Sequence, residues 1–393
     1  MTVSITPNNS RVFSGNPVIL DVQTQEAVDM TILLVSADGE SYSTWFTGHY
    51  DESFRIDISE ILDSVFDEPE RYPTGASTNQ TIRGIIRSIA GQGSRNFLIT
   101  VENYNGSTSW ERPLEVFRGG VSKAELRRMA ENNTDAMSDR FYPGDGLTNL
   151  LTTRTMGSTI LISETELYPI PFIHPAANLL LKTPDGGLAV WKETSQTDDL
   201  GNDLDDGTFC VLNIAELRKY FFDQFSVLYN IFDLYSGWDS QSDGDFCCRI
   251  IVTEAPAAPE RHRVRFLNSL GAWEVIDLVG RATMSRKAAD GDSELEYREY
   301  DGVTYDYTRR NIRAPQRDTI TVPTGIKRPD QLAHIMDMMN SESVWLEMER
   351  EYLRVIPRAD ELTTAVRPIA PQQLELSFDM ADDERRYTAG DYE

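Results

Sequence analysis

The sequence predicts a mainly β protein: two duplicated β-sandwich-like units followed by a smaller α+β domain. Three observations predict it. Apolar residues alternate with polar ones over short runs bounded by turn residues, which is the pattern of half-buried strands. A set of strand, turn and helix landmarks returns in the same order later in the chain. After about Gly280 the composition shifts toward tyrosine and charge.

The first unit is read over 1–115. Pro17-Val-Ile-Leu-Asp-Val22 is a strand, and Met30 to Val35 is another that ends at Asp38-Gly39, a hairpin turn signal. Aromatic residues follow, through Tyr42, Trp45 and Phe46. In Phe54-Arg-Ile56-Asp-Ile58 the alternation puts Phe54, Ile56 and Ile58 on one face. Asp57 with Glu60 forms a capping box for a short helix whose apolar side is Ile61, Leu62, Val65 and Phe66. Ile82 to Ile89 and Asn96 to Val101 complete the unit as strands.

The second unit is read over 151–282. Leu179-Leu-Leu181 leads into Asp185-Gly186, then Leu188, Val190 and Trp191. Cys210, Leu212 and Ile214 alternate; Asn213 and Glu216 stand where Asp57 and Glu60 stood. Ile250-Ile-Val252 is matched to Ile85-Ile86, and Asn268 to Gly271 with Trp273 to Asn103 to Gly106 with Trp110. Between the units, 116–150 is a linker with a short helix, opened by a Ser122–Glu125 capping box; it serves equally as an arm to a neighbouring subunit.

The α+β domain is read over 283–393. Tyr297, Tyr300, Tyr305 and Tyr307 lie in a hairpin turned by Asp301-Gly302, followed by the basic group Arg309, Arg310, Arg313 and Arg317. Arg328-Pro329-Asp330 opens an amphipathic helix carrying Leu332, Ile335, Met336 and Met339. Val344–Leu346 with Tyr352–Ile356 form a strand pair, Leu374 to Phe378 a last strand, and Ala381 to Glu393 a charged tail.

Charge narrows the function. The 393 residues hold 37 Lys and Arg against 63 Asp and Glu, and 37 − 63 gives −26. Phosphate affinity needs clustered cations, so nonspecific duplex binding is not expected, and no specific nucleic-acid partner is assigned. The Arg309–Arg317 group is read as a subunit contact with an acidic neighbour. No apolar run is long enough to span a membrane, and the N-terminal segment lacks the pattern of a secretory signal. Cys210, Cys247 and Cys248 have no CxxC spacing, so neither a disulfide framework nor a zinc site is expected.

Catalytic motifs are missing. His49, His174, His262 and His334 are scattered and are read as surface or packing residues. There is no GxSxG, no P-loop and no dinucleotide fingerprint. The acidic loops 198–206 and 239–245 carry calcium-like spacings, but the second lacks the Glu at position twelve of an EF-hand, and solvated acidic loops are the simpler reading. No residue is assigned a catalytic, cofactor or metal role, and the chain is read as a non-enzyme.

A resemblance adds direction. The segment VRFLNSLGAWEVIDLVG at Val264–Gly280 resembles one recurring in structural, tail-associated proteins of Bacteroidetes phages and prophages. NPVILDV with FRIDISEIL, FRGGVSK at Phe117–Lys123, and TGIKRPDQLAHIMDMMNSESVWLEM are similar to the same group. The resemblance implies a virion structural protein of the tail, tail tip or baseplate, assembled in the host cytoplasm. Its partners would be copies of itself in a ring or tube and other virion proteins. Two rivals remain. One is a tail protein binding host-surface glycans through tryptophans such as Trp45, Trp110, Trp191, Trp238 and Trp273. The other is a hydrolase of polysaccharide or peptidoglycan, for which the sequence offers no motif.

Overall fold

The computed structural model describes the chain except for residues 9, 37–38, 67–84, 93, 123–125, 128–149, 155–158, 167–169, 174–178, 186–187, 192–207, 237–244, 255–259, 289–292, 301–304, 312–315, 349–350, 359–370 and 382–393. The protein is mainly β. It divides into two compact units, one formed by Met1–Ala255 with Leu267–Glu274, the other by Pro256–Phe266 with Val275–Glu393.

The first unit holds two pairs of sheets. In the first pair, β1 (Thr2–Thr6), β3 (Ile19–Gln23) and β6 (Phe54–Asp57) form a three-stranded sheet in the order β1-β3-β6. β2 (Arg11–Phe13), β4 (Val28–Val35), β5 (Tyr42–Tyr50), β8 (Ser94–Asn103) and β9 (Ser109–Phe117) form a five-stranded sheet in the order β2-β9-β8-β4-β5. Helix α1 (Ser59–Asp63) follows β6. Alternate residues of these strands, including Leu20, Val22, Met30, Ile32, Phe97, Ile99 and Val116, join Ile58 and Leu62 in one core. The period of two thus becomes a sandwich.

The second pair uses β10 (Thr159–Ser163), β12 (Leu179–Lys182), β13 (Leu188–Trp191), β15 (Ile231–Ser236) and β16 (Asp245–Thr253) in the order β10-β16-β15-β12-β13. Its small sheet is β11 (Ile170–Ile173), β14 (Thr208–Leu212) and β7 (Ile86–Gln92), in the order β11-β14-β7. Helix α2 (Ile214–Phe225) follows β14. A second core gathers Ile162, Phe172, Leu181, Leu212, Leu217, Phe221, Phe232 and Ile250.

The two five-stranded sheets share a pattern. Each has a parallel edge pair, β2 with β9 and β10 with β16, and otherwise antiparallel neighbours. β4–β5 and β12–β13 occupy matching places, as do β6 with α1 and β14 with α2. Two of the sequence pairings are corrected. Ile250–Val252 lies on β16, in the place of β9, whereas Ile86 lies on β7. Asn268–Gly271 lies between β17 (Arg261–Leu267) and β18 (Trp273–Val279), and not in the β15–β16 connection that matches Asn103–Gly106. The local turns still agree: the Gly106 and Gly271 amides donate to the Asn103 and Asn268 carbonyls, both glycines at positive φ.

The helix caps differ in detail. Asn213 Oδ1 accepts from the Glu216 amide at 3.2 Å, which is an N-cap. Asp57 sits one residue before the cap position Ile58; its Oδ1 accepts from the Ser59 and Val18 amides.

The second unit is built on a seven-stranded sheet in the order β18-β17-β23-β24-β25-β22-β19. The added strands are β19 (Thr283–Ala288), β22 (Gln316–Pro323), β23 (Val344–Met348), β24 (Glu351–Arg358) and β25 (Glu375–Met380). Helix α3 (Leu332–Met339) contributes Leu332, Ile335, Met338 and Met339 to its core; Met336, expected inward, is exposed. β20 (Ser293–Tyr300) and β21 (Tyr305–Asn311) form a separate two-stranded sheet. Most of β17 and β18 belongs to this unit and ladders into its sheet, while Leu267–Glu274 belongs to the first unit. The tyrosine-rich composition that marked the boundary belongs to one hairpin within the unit.

Candidate assembly surfaces

Helix α2 and the turn after it carry several of the exposed large apolar side chains among the described residues. Ile214, Leu217, Arg218 and Phe221 face inward at helical spacing. Arg218 is held by the Tyr229 carbonyl and Asn230 Oδ1, at 3.1 and 2.7 Å. Tyr220 and Phe222, on the two flanks of the inward face, and Phe225, in the last turn and stacked on Phe221, are exposed. Ser226 ends the helix at φ 57°, its amide donating to the Phe222 carbonyl at 2.7 Å. The chain reverses there and leaves Val227 and Leu228 exposed as well. Phe222 is 51% and Leu228 55% exposed. Five apolar side chains in water within residues 220–228 forgo burial worth roughly 25 cal/mol per Å2.

The second surface is a sheet edge. Among the described residues, no strand pairs with the outer side of β6, and none with the outer side of β7.

A buried ionic network lies beneath the turn Leu267–Glu274. Arg154 Nη1 is 3.1 Å from Glu166 Oε2, and its Nε is 3.2 Å from Glu274 Oε2. All three side chains are buried. Asn268 Nδ2 donates to the Leu151 carbonyl and to Glu274 Oε1, while its Oδ1 accepts from the Leu270 and Ala272 amides. Phe13, Phe117, Leu151, Leu270 and Ala272 pack around this polar knot. Buried ion pairs with further hydrogen bonds to their carboxylates, here from the Ser163 and Thr153 amides, fix one geometry. The group therefore pins a turn, and nothing in it resembles a reacting centre.

The sequence candidates fall apart in space. His49 Nδ1 is 2.7 Å from Asp29 and its Nε2 3.3 Å from Asp51, on the exposed face of β5. The Asp29 hydrogen bond raises its pKa above 6.5, against a lowering by desolvation. His262 Nε2 meets the Gly280 carbonyl, and His334 is buried against Phe266. His174, Trp238, Arg313, most of 116–150, the tail 382–393 and nearly all of loops 198–206 and 239–245 lie outside the described residues. Of the tryptophans, Trp273 is buried, Trp110 half-buried and Trp45 exposed, with its Nε1 donating to the Ile61 carbonyl and Ser64 Oγ. The three cysteines are free thiols, and burial pushes the Cys248 thiol well up.

Among the described residues, no group of three or more His, Cys, Asp or Glu is placed to hold a metal ion. No described helix is long and apolar enough to cross a membrane. No protein-family model and no curated protein matches the chain.

Proposed function

We propose that this protein is a virion structural component of a phage tail, tail tip or baseplate, which acts by subunit assembly and carries no catalytic activity. The observation that carries the assembly reading is the apolar surface Tyr220–Leu228. A chain of charge −26 keeps itself soluble through its acidic surface. An aromatic patch on a helix in such a chain marks a place where water is removed by a partner. The virion assignment comes from the sequence resemblance, and the native partners are copies of the chain and other virion proteins. Native mass across a concentration series, with electron microscopy of large species, tests the reading. Closed rings or stacked tubes are expected.

Trp45 favours a second reading, a glycan-binding tail protein. Its ring is exposed and its indole nitrogen fixed, as a sugar-stacking platform requires. Binding to a glycan array, lost in Trp45→Ala, is the outcome that reading requires.

A further inference from the structure

We propose that His49 is a pH-sensitive latch on the turn 51–53: as an imidazolium it ties that turn to β4, and loss of its proton to solvent releases Asp51 while Asp29 stays bonded. The latch lies within the first sandwich and does not depend on the assembly reading.

β5 ends at Tyr50 on the edge of the five-stranded sheet, and β6 begins at Phe54 in the three-stranded sheet. Residues 51–53 therefore carry the chain from one sheet of the sandwich to the other. His49 stands just before this crossing, its ring half-exposed. Its Nδ1 lies 2.7 Å from Asp29 Oδ1, and its Nε2 lies 3.3 Å from Asp51 Oδ1. A carboxylate only accepts hydrogen bonds, so both contacts are attractive only when both ring nitrogens carry hydrogen. That form is the imidazolium. The neutral ring turns a lone pair toward one carboxylate, and that contact opens.

Their positions decide which contact opens. Asp29 sits inside β4, opposite His49 on one side and Glu102 of β8 on the other. Sheet pairing holds its backbone on both sides, and its contact is the shorter one. Asp51 lies on the turn, its side chain 91% exposed. The neutral ring therefore keeps its hydrogen on Nδ1, toward Asp29, and Nε2 gives up Asp51. The surroundings limit what then moves. Ser53 Oγ accepts from the Thr24 amide at 2.9 Å and donates to the Thr24 carbonyl at 3.0 Å. The Tyr50 and Phe54 rings stack at 3.7 Å across the turn. Asp51 and Glu52 are the released part.

Tyr104, in the turn after β8, meets the His49 ring edge-on at 5.7 Å. Beyond the two bonded carboxylates, the neighbouring charges are Glu102 on β8, Glu52 in the same turn, and Glu26, which accepts from Asn105 Nδ2 at 2.9 Å beside Tyr104. All are acidic, so none opposes the charged ring. The midpoint accordingly lies above the ordinary 6.5, with the Asp29 hydrogen bond as the largest cause, against a lowering by desolvation. The latch is closed at acidic pH and opens as pH rises through that midpoint.

Nuclear magnetic resonance of the full-length chain, titrated from about pH 5 to 9, tests the latch. The ring nitrogen shifts of wild-type His49 should show the neutral form with its hydrogen on Nδ1. The backbone order parameters of Asp51 and Glu52 should fall across the His49 midpoint, while that of Ser53 stays. Asp51→Asn should lower the midpoint, by less than Asp29→Asn does. His49→Gln should remove the pH dependence at Asp51 and Glu52. The first two readouts use the wild type and need no variant to fold. A neutral ring protonated at Nε2, order parameters unchanged across the midpoint, or an Asp51→Asn midpoint equal to that of the wild type overturns the latch.

Discussion

Gly119 and Gly271 lie backbone against backbone. Gly119 has φ +92° and Gly271 φ +78°. A Cβ on Gly119 would stand 2.6 Å from the Gly271 amide nitrogen, and one on Gly271 would stand 2.7 Å from the Arg118 carbonyl oxygen. The adjoining Gly120 amide donates to the Ser269 carbonyl at 2.6 Å. Two of the segments that carry the sequence resemblance, Phe117–Lys123 and Val264–Gly280, therefore meet at a place where only glycine fits on both sides.

Gly271→Ala should cost about 2 kcal/mol or more of stability, from positive φ and a clash with fixed backbone. Gly106→Ala is the control: its φ is +67°, but nothing lies within 4 Å of the added Cβ. It should cost only about 1 kcal/mol. Urea unfolding of both variants checks the difference.

Arg154→Met removes the cation from between two buried carboxylates. The expected loss is roughly 3–5 kcal/mol at neutral pH. The deficit should shrink as pH falls, because protonation relieves the stranded charges of Glu166 and Glu274. Thermal unfolding at several pH values measures it. A surface pair such as Arg249 with Asp233, where the arginine is half-exposed, should show a far smaller effect on the same substitution.

His49 should titrate above 6.5 in a proton resonance experiment, and Asp29→Asn should bring it down. The sign for stability follows from the raised folded value. The contribution is full below 6.5 and fades as pH rises through the folded pKa. Asp57 behaves oppositely. Burial pushes its pKa up, but the Ser59 and Val18 amides outweigh this and hold it below 3.8. Its contribution is present above 3.8 and is lost as pH falls through the folded value.

Thiol labelling should separate the adjacent cysteines. Cys248 is buried and its thiol is held protonated, chiefly by desolvation; Cys247 is only partly covered. Cys247 should react well before Cys248 in the folded protein, since the thiolate is the nucleophile.

Much of this fold is legible where a signal is local. The alternation of Phe54, Ile56 and Ile58, the cap at Asn213, the strand pair at Val344 and Tyr352, and the helix after Pro329 all form as their patterns predict. What escaped is non-local. The strand read at Ile82 to Ile89 overlaps β7 only over 86–89, with 82–84 outside the described residues; its partner β14 lies far along the chain, and strand pairing leaves no mark in one strand alone. Arg154, Glu166 and Glu274 carry no local signal in the sequence, because residue type favours exposure and only the folded backbone brings them together. The α2 surface was partly visible. Leu217 and Phe221 mark the inner face, so Phe222 one residue on must turn outward.

The most direct measurement of the central claim is the native mass of the wild-type chain and of Phe222→Glu with Phe225→Glu, each across the same concentration series. The account predicts discrete closed or tubular assemblies for the wild type and a shift to monomer for the double variant, with unchanged far-ultraviolet circular dichroism. A wild-type chain that remains monomeric at every concentration, or a double variant that assembles equally well, would contradict it.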